Sequence, residues 1–136
     1  MISFFQPDFS FHTMNSYDAT VCIFDTRKPL VPVTQANVGG GAWRVKWHPN
    51  SERCRDLLVA CMHDGFKVVR FSSSVVASED NHSNDGQEWE VIKHFDAHES
   101  LAYGVDWAHG DTGHTAGDTL IASCSFYDHV LYTWRG

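Results

Sequence analysis

The chain has 136 residues, 43% hydrophobic and 13% aromatic, which supplies apolar surface for one folded core and excludes a disordered polymer. Ten Lys and Arg against seventeen Asp and Glu leave a net charge of −7, so no sequence-independent grip on a nucleic-acid backbone is expected. Apolar runs such as Leu57 to Met62 and Thr119 to Ala122 fall far short of the roughly 20 residues of a membrane-spanning helix, and no membrane span is expected.

From the start of the chain, Met1 to Asn15 carries a few aromatics but no basic start, no continuous apolar stretch and no small-residue cleavage site. Residues 1–15 are read as a non-repeat N-terminal segment, and the protein is expected in the cytoplasm. Cys22, Cys54, Cys61 and Cys124 are scattered without a CxxC pair, so they are expected as reduced thiols rather than a zinc ribbon or a disulfide framework. Asn81-His82-Ser83 matches a glycosylation pattern that matters only in a secreted protein.

Residues 16–136 repeat. Tyr17-Asp18-Ala19-Thr20-Val21-Cys22-Ile23-Phe24 answers Tyr127-Asp128-His129-Val130-Leu131-Tyr132-Thr133-Trp134, each with an Asp followed six residues later by an aromatic, and Gly65 to Phe71 is a weaker middle copy. Trp43-Arg44-Val45-Lys46-Trp47 answers Tyr103-Gly104-Val105-Asp106-Trp107, both with the apolar–polar alternation of a strand. Leu57-Leu58-Val59-Ala60-Cys61 answers Thr119-Leu120-Ile121-Ala122-Ser123, short β-rich runs suited to burial on both faces and read as inner strands. Trp43 and Tyr103 lie 60 residues apart, more than the roughly 40 to 45 of one repeat, and Ser72 to Glu90 accounts for the excess. With five acidic residues and no basic one, 72–90 is expected to be a solvated loop, and the polar, Gly-rich stretch 109–118 a smaller one.

This order of alternating strand, buried strand, Asp- or Gly-containing turn and aromatic-ended strand resembles the WD40-type β-propeller blade. The final copy fits best, with His98, Ala102, Val105 and Trp107 at the family's offsets, then Leu120 to Ser125, Asp128 and Trp134; the first copy keeps Phe24-Asp25 where the family has Trp-Asp. The expected fold class is all-β, about two and a half blades, incomplete and open rather than closed. The resemblance implies a hydrogen-bonded structural set of His98, Ser123, Asp128 and Trp134, with Ser125 an alternative to Ser123. Propellers close with about 4 to 8 blades. The missing blades therefore imply either a truncated chain, the preferred reading, or self-association to cover open edges.

Gly39-Gly40-Gly41-Ala42-Trp43-Arg44-Val45-Lys46-Trp47-His48-Pro49, Ala60-Cys61-Met62-His63-Asp64-Gly65-Phe66 and Cys124-Ser125-Phe126-Tyr127-Asp128-His129 are more particular than blade grammar requires. With Ser16-Tyr17-Asp18 and Phe24-Asp25-Thr26-Arg27, they resemble the C-terminal blades of the diphthine methyl ester hydrolase family, WD-repeat proteins of the diphthamide pathway. The resemblance implies hydrolysis of a methyl ester on the modified histidine of translation elongation factor 2, the expected partner and protein substrate. The alternative is a non-catalytic protein-interaction scaffold.

Ester hydrolysis needs a base near neutral pH, a nucleophile or activated water, and donors for the oxyanion. His63 is the candidate base, with Asp64 to orient or charge it; Ser125 is the candidate nucleophile, Tyr127 the oxyanion donor, and His129 lies on the same turn. Each also has a plain structural reading, as a solvated turn residue or part of a blade's hydrogen bonding. Trp43 and Arg44 are candidates for substrate binding; for Arg44 and Lys46, which alternate with aromatics on one strand and could contact an acidic substrate group, a solvated strand face is the commoner explanation. No Gly-x-Ser-x-Gly elbow occurs, which favours a water-based mechanism. Gly39-Gly40-Gly41 is not followed by the Lys-Ser or Lys-Thr of a phosphate loop, and His109 with His114 lacks a third neighbouring ligand. No metal and no cofactor are expected.

Overall fold

The computed structural model describes residues 3–5, 11–76, 88–110 and 118–136. The first antiparallel sheet holds β1 (Ser3–Phe5), β2 (Phe11–Asn15), β3 (Thr20–Asp25) and β4 (Thr34–Asn37), in that order. The second holds β5 (Arg44–Trp47), β6 (Asp56–Ala60), β7 (Phe66–Phe71) and β8 (Trp89–Phe95), again in chain order. In the third, β10 (Leu120–Ser125) lies between β9 (Ala102–Trp107) and β11 (Leu131–Arg135). Among the described residues, these three antiparallel, chain-ordered sheets of four, four and three strands are partial propeller blades, and they do not close into a ring.

Side-chain alternation explains how the sheets stack. Leu57, Val59 and Cys61 point to one side of the second sheet and join Val21, Ile23, Ala36 and Val38 of the first in one apolar cluster. Leu58 and Ala60, on the opposite face of the same strand, join Phe66 and Val68 against Val105, Trp107, Ile121 and Trp134 of the third sheet. Every residue of β6 is therefore buried, and its unbroken apolar run after Asp56 reflects two covered faces. Trp107 adds a polar tie between sheets, donating its indole N–H to Lys46 O at 3.0 Å.

Asp56 opens β6 fully buried, which is tolerable because two guanidinium groups enclose it. Arg53 Nε donates to Oδ2 at 2.7 Å; Arg70 donates from Nε to Oδ1 at 2.7 Å and from Nη2 to Oδ2 at 2.8 Å. Burial alone would raise the Asp56 carboxyl, but the Arg70 and Arg53 hydrogen bonds outweigh it and hold the group below the usual carboxylate range.

Three sequence expectations are corrected by these elements. Residues 3–5 and 11–15, read as outside the repeat, are strands that complete the first sheet, because β3 has a backbone edge that β2 pairs from Phe11↔Asp25 to Asn15↔Val21. Within 72–90, Ser73–Val76 forms one helical turn (α1) that buries Val75 in the first cluster, and Trp89 and Glu90 already belong to β8. Third, β10 is not buried on both faces: Ile121 and Ser123 are covered while Cys124 is exposed, because among the described residues no sheet stacks on its second face. Residues 77–87 and 111–117, which hold most of the two expected loops, Asn81-His82-Ser83 and His114, lie outside the described residues.

Candidate functional site at the aromatic rim

The turns after β2, β6 and β10, together with the starts of β5 and β9, occupy one rim of the stacked sheets, and backbone hydrogen bonds stitch neighbouring loops together there. Ala42 N–H donates to Ser16 O at 3.0 Å, Trp43 N–H to Ala60 O at 2.8 Å, Ala102 N–H to Met62 O at 2.8 Å and Phe126 N–H to Leu101 O at 3.1 Å. The Gly39-Gly40-Gly41 loop fits only without side chains: a Cβ on Gly40 would lie 2.1 Å from Cys61 O, and one on Gly41 would lie 2.9 Å from Met62 Sδ. Gly39 also sits at φ +86°.

Along this rim the rings of the repeated positions meet. Tyr17 and Trp43 are 5.6 Å apart edge to face, Trp43 and Tyr103 5.0 Å, Tyr103 and Phe126 5.3 Å, and Phe126 and Tyr127 4.5 Å. Between the second and third sheets they enclose a cavity of about 150 Å³, lined by Trp43, Met62, Leu101, Tyr103, Phe126 and Tyr127 among others, none of them charged. Met62 reaches it from a backbone at φ +36°, a conformation a non-glycine residue holds only when its surroundings fix it; here the bridge to Ala102 does so.

The sequence candidates distribute unevenly around this cavity. Trp43 and Tyr127 line it, whereas Arg44, on β5, does not. Met62 pairs with Ala102, and Ala102 with Ser125, so the His63 turn and Ser125 lie two ladder steps apart, about 10 Å between the Cα atoms of Met62 and Ser125. His63 and His129 are exposed, the latter at φ +56°, and no hydrogen bond joins His63, Ser125, Tyr127 or His129 to one another. Ser125 Oγ is buried with no hydrogen-bond partner. Asp64 is corrected as the orienter of His63: its carboxylate binds Lys67 Nζ and lies 3.8 Å from His94 Nε2. Lys67 also donates to Val38 O at 2.7 Å, so the Asp64 side chain is committed to joining the first two sheets.

Beneath the rim, His98, Ser123, Asp128 and Trp134 form one polar relay. Trp134 Nε1–H donates to Ser123 Oγ at 3.1 Å, and Ser123 Oγ lies 3.0 Å from His98 Nε2. His98 Nδ1 lies 2.7 Å from Asp128 Oδ2. Because the indole only donates and the carboxylate only accepts, a neutral His98 donates from Nδ1 and accepts the Ser123 hydroxyl at Nε2. Of the two serines, then, Ser123 enters the relay. The Ser125 hydroxyl lies beside the Asp128 carboxylate without the alignment of a hydrogen bond; with the Val130 N–H and His98 it holds that carboxyl well below the usual range, against burial.

The sequence reading missed Met62, Leu101 and Phe126 as lining residues. A signal for the cluster was nevertheless there: Tyr17 aligns with Tyr127 and Trp43 with Tyr103, and equivalent positions of stacked repeats fall on the same rim. Among the described residues no three His, Cys, Asp or Glu side chains converge as a metal site, and no helix is long and apolar enough to cross a membrane.

No protein-family model matches the chain. Curated relatives do. A protein named diphthine methyltransferase homolog from Dictyostelium discoideum is 32% identical over 123 residues, 89% of this chain and 30% of the relative. Diphthine methyltransferase of Schizosaccharomyces pombe is 36% identical over 112 residues, 82% of this chain and 29% of the relative. That of Homo sapiens is 37% identical over 93 residues, 68% and 18%. The chain thus spans less than a third of the length of these relatives, and over most of its own length it is similar to proteins named for diphthine chemistry.

Proposed function

We propose that this chain is part of a diphthamide-pathway protein that acts on the methyl ester of methylated diphthine on translation elongation factor 2. The reaction we assign is hydrolysis: water adds to the ester carbonyl, the bond from that carbon to the methoxy oxygen breaks, and methanol leaves with a proton, giving the free carboxylate. The observation that carries the assignment is 32% identity across 89% of the chain to a diphthine methyltransferase homolog. The relatives' names speak of methyl transfer; hydrolysis is favoured here by the size and chemistry of the rim. A cavity of about 150 Å³ suits a small branched group better than a nucleoside-sized methyl donor, drug-sized ligands typically filling about 300–1,000 Å³. Tyr127 brings a phenol to its lining, and the exposed His63 imidazole and the Ser125 hydroxyl lie on neighbouring turns of the same rim, groups whose chemistry suits water addition.

In this reading His63 takes the proton of the attacking water, Tyr127 donates to the carbonyl oxygen as charge develops, and the Ser125 hydroxyl holds the water. His98, Ser123, Asp128 and Trp134 hold the β10–β11 turn in place, and Trp43 contacts the substrate side chain. The test is a chimaera in which this chain replaces its matching part of the Dictyostelium discoideum relative, incubated with elongation factor 2 bearing methylated diphthine. Methanol detected by mass spectrometry and lost in His63→Ala, with folding retained, supports the assignment. Label arriving on the carboxylate from an added methyl donor would replace hydrolysis by transfer. Stable binding with neither product would sink the enzymatic reading in favour of an interaction platform.

A further inference from the structure

We propose that the rim cavity is a subsite for a quaternary ammonium group. Its position between two blades, its lining and its size each bear on what it can hold. Lined without a charged side chain, and with the Tyr103 and Tyr127 hydroxyls as its polar side-chain groups, it replaces poorly the water around a metal ion or the three N–H bonds of a primary ammonium, and desolvating either there is unfavourable. A quaternary ammonium has no N–H to satisfy and is drawn to the negative faces of aromatic rings.

The rings supply such faces in several directions. Trp43 and Tyr103 are tilted 32° to one another, Tyr103 and Phe126 60°, and Phe126 and Tyr127 76°, so they wall a space rather than stack into a plane. Met62 Sδ, held near Gly41, adds a polarizable surface. A cavity of about 150 Å³ is the size of an engineered core cavity that admits benzene, and a trimethylammonium head is no larger. The chain's net charge of −7 favours a cation over a neutral group at long range.

The inference deepens the proposed function and rests on it in one respect. The diphthine side chain carries a trimethylammonium group beside the carboxyl whose ester is at issue. Seating that group in the cavity sets the ester beside Tyr127, on the rim that also carries the His63 turn.

The test uses an isosteric pair: trimethylglycine methyl ester, a quaternary ammonium, and methyl 3,3-dimethylbutanoate, in which carbon replaces the nitrogen. Each is titrated into the purified 136-residue chain and followed by saturation-transfer NMR on its methyl groups. The cation is expected to bind about tenfold more tightly than the carbon isostere. Trp43→Leu and Phe126→Leu should remove the preference while leaving weak apolar binding, and Trp43→Phe should retain part of it. Phe126 is half exposed, so its variant remains informative if Trp43→Leu does not fold. Equal affinity for the two esters, or an undiminished preference in folded Phe126→Leu, overturns the proposal. Cation selectivity without methanol release by the chimaera would remove the esterase reading and leave the subsite. Methanol release without selectivity would do the reverse.

Discussion

Acidification from pH 7 to 4.5 should destabilise this protein through one imidazole, His48. The ring is 4% exposed and sits 4.5 Å edge-on from Trp107. Asn50 N–H donates to its Nδ1 at 3.0 Å, which leaves Nε2–H to donate to Thr119 Oγ1 at 2.7 Å. Arg53 crowds the same spot, donating to Thr119 Oγ1 at 3.2 Å and to Gly136 O at 2.8 Å. A proton added at Nδ1 would face the Asn50 N–H donor. Burial first, and the Arg53 charge second, push the pKa of His48 from 6.5 down to about 4, with Asp56 opposing.

Because the folded-state pKa is depressed, the neutral ring's contribution is fully present above pH 6.5 and is lost as pH falls toward 4. Integrating the linkage gives a loss of about 1.4 kcal/mol by pH 5.5 and about 2.5 kcal/mol by pH 4.5. Urea unfolding followed by tryptophan fluorescence at pH 7.0, 5.5 and 4.5 reads this directly in the native chain and in His48→Gln. The variant should be less stable at pH 7, and the gap should close by about 2.5 kcal/mol at pH 4.5. Asp25 and Asp56, whose carboxyls are held down by Arg hydrogen bonds, lose their contributions only below the ordinary carboxylate range and stay outside this window. Parallel decline of both proteins would refute the assignment to His48.

Replacing Ser123 by Ala should cost about 2–4 kcal/mol in urea unfolding, because Trp134 Nε1–H and His98 Nε2 both lose their partner inside the core; Ser125→Ala should cost less than Ser123→Ala, since that Oγ has no aligned partner and only its place beside the Asp128 carboxylate is lost. Gly40→Ala should lower stability by about 1–3 kcal/mol in a thermal melt and shift the rim loop, because its Cβ meets the fixed Cys61 carbonyl. The Cys61 thiol, pushed up to about 12 by burial, should resist iodoacetamide at pH 8 until the protein unfolds, while exposed Cys124 is modified first by peptide mass mapping. Labelling of Cys61 at the rate of Cys124 would mean that the cluster between the first two sheets opens readily.

The repeat makes the blades legible in the sequence, because period-two alternation and a recurring Asp-to-aromatic spacing are local properties of the chain. The relay residues were legible for the same reason, yet the choice between Ser123 and Ser125 was not: both lie on β10, and only the pairing of β10 with its neighbours decides which hydroxyl faces His98 and Trp134. Asp64 shows the converse error. Adjacency to His63 suggested a catalytic partner, but adjacent residues on a turn point apart, and Lys67, three residues on, takes the carboxylate.

The sequence by itself determined the repeated strands, the rim position of the turns and the repeat-equivalent aromatics Tyr17, Trp43, Tyr103 and Tyr127. What tertiary structure decided was which faces are covered. Leu57 to Cys61 and Thr119 to Ser123 read alike as buried strands, but the first is sandwiched between two sheets and the second is covered on one face. Burial belongs to the stack of sheets, not to the strand, and so does the aromatic cavity, which exists only where two blades bring their repeated rings together.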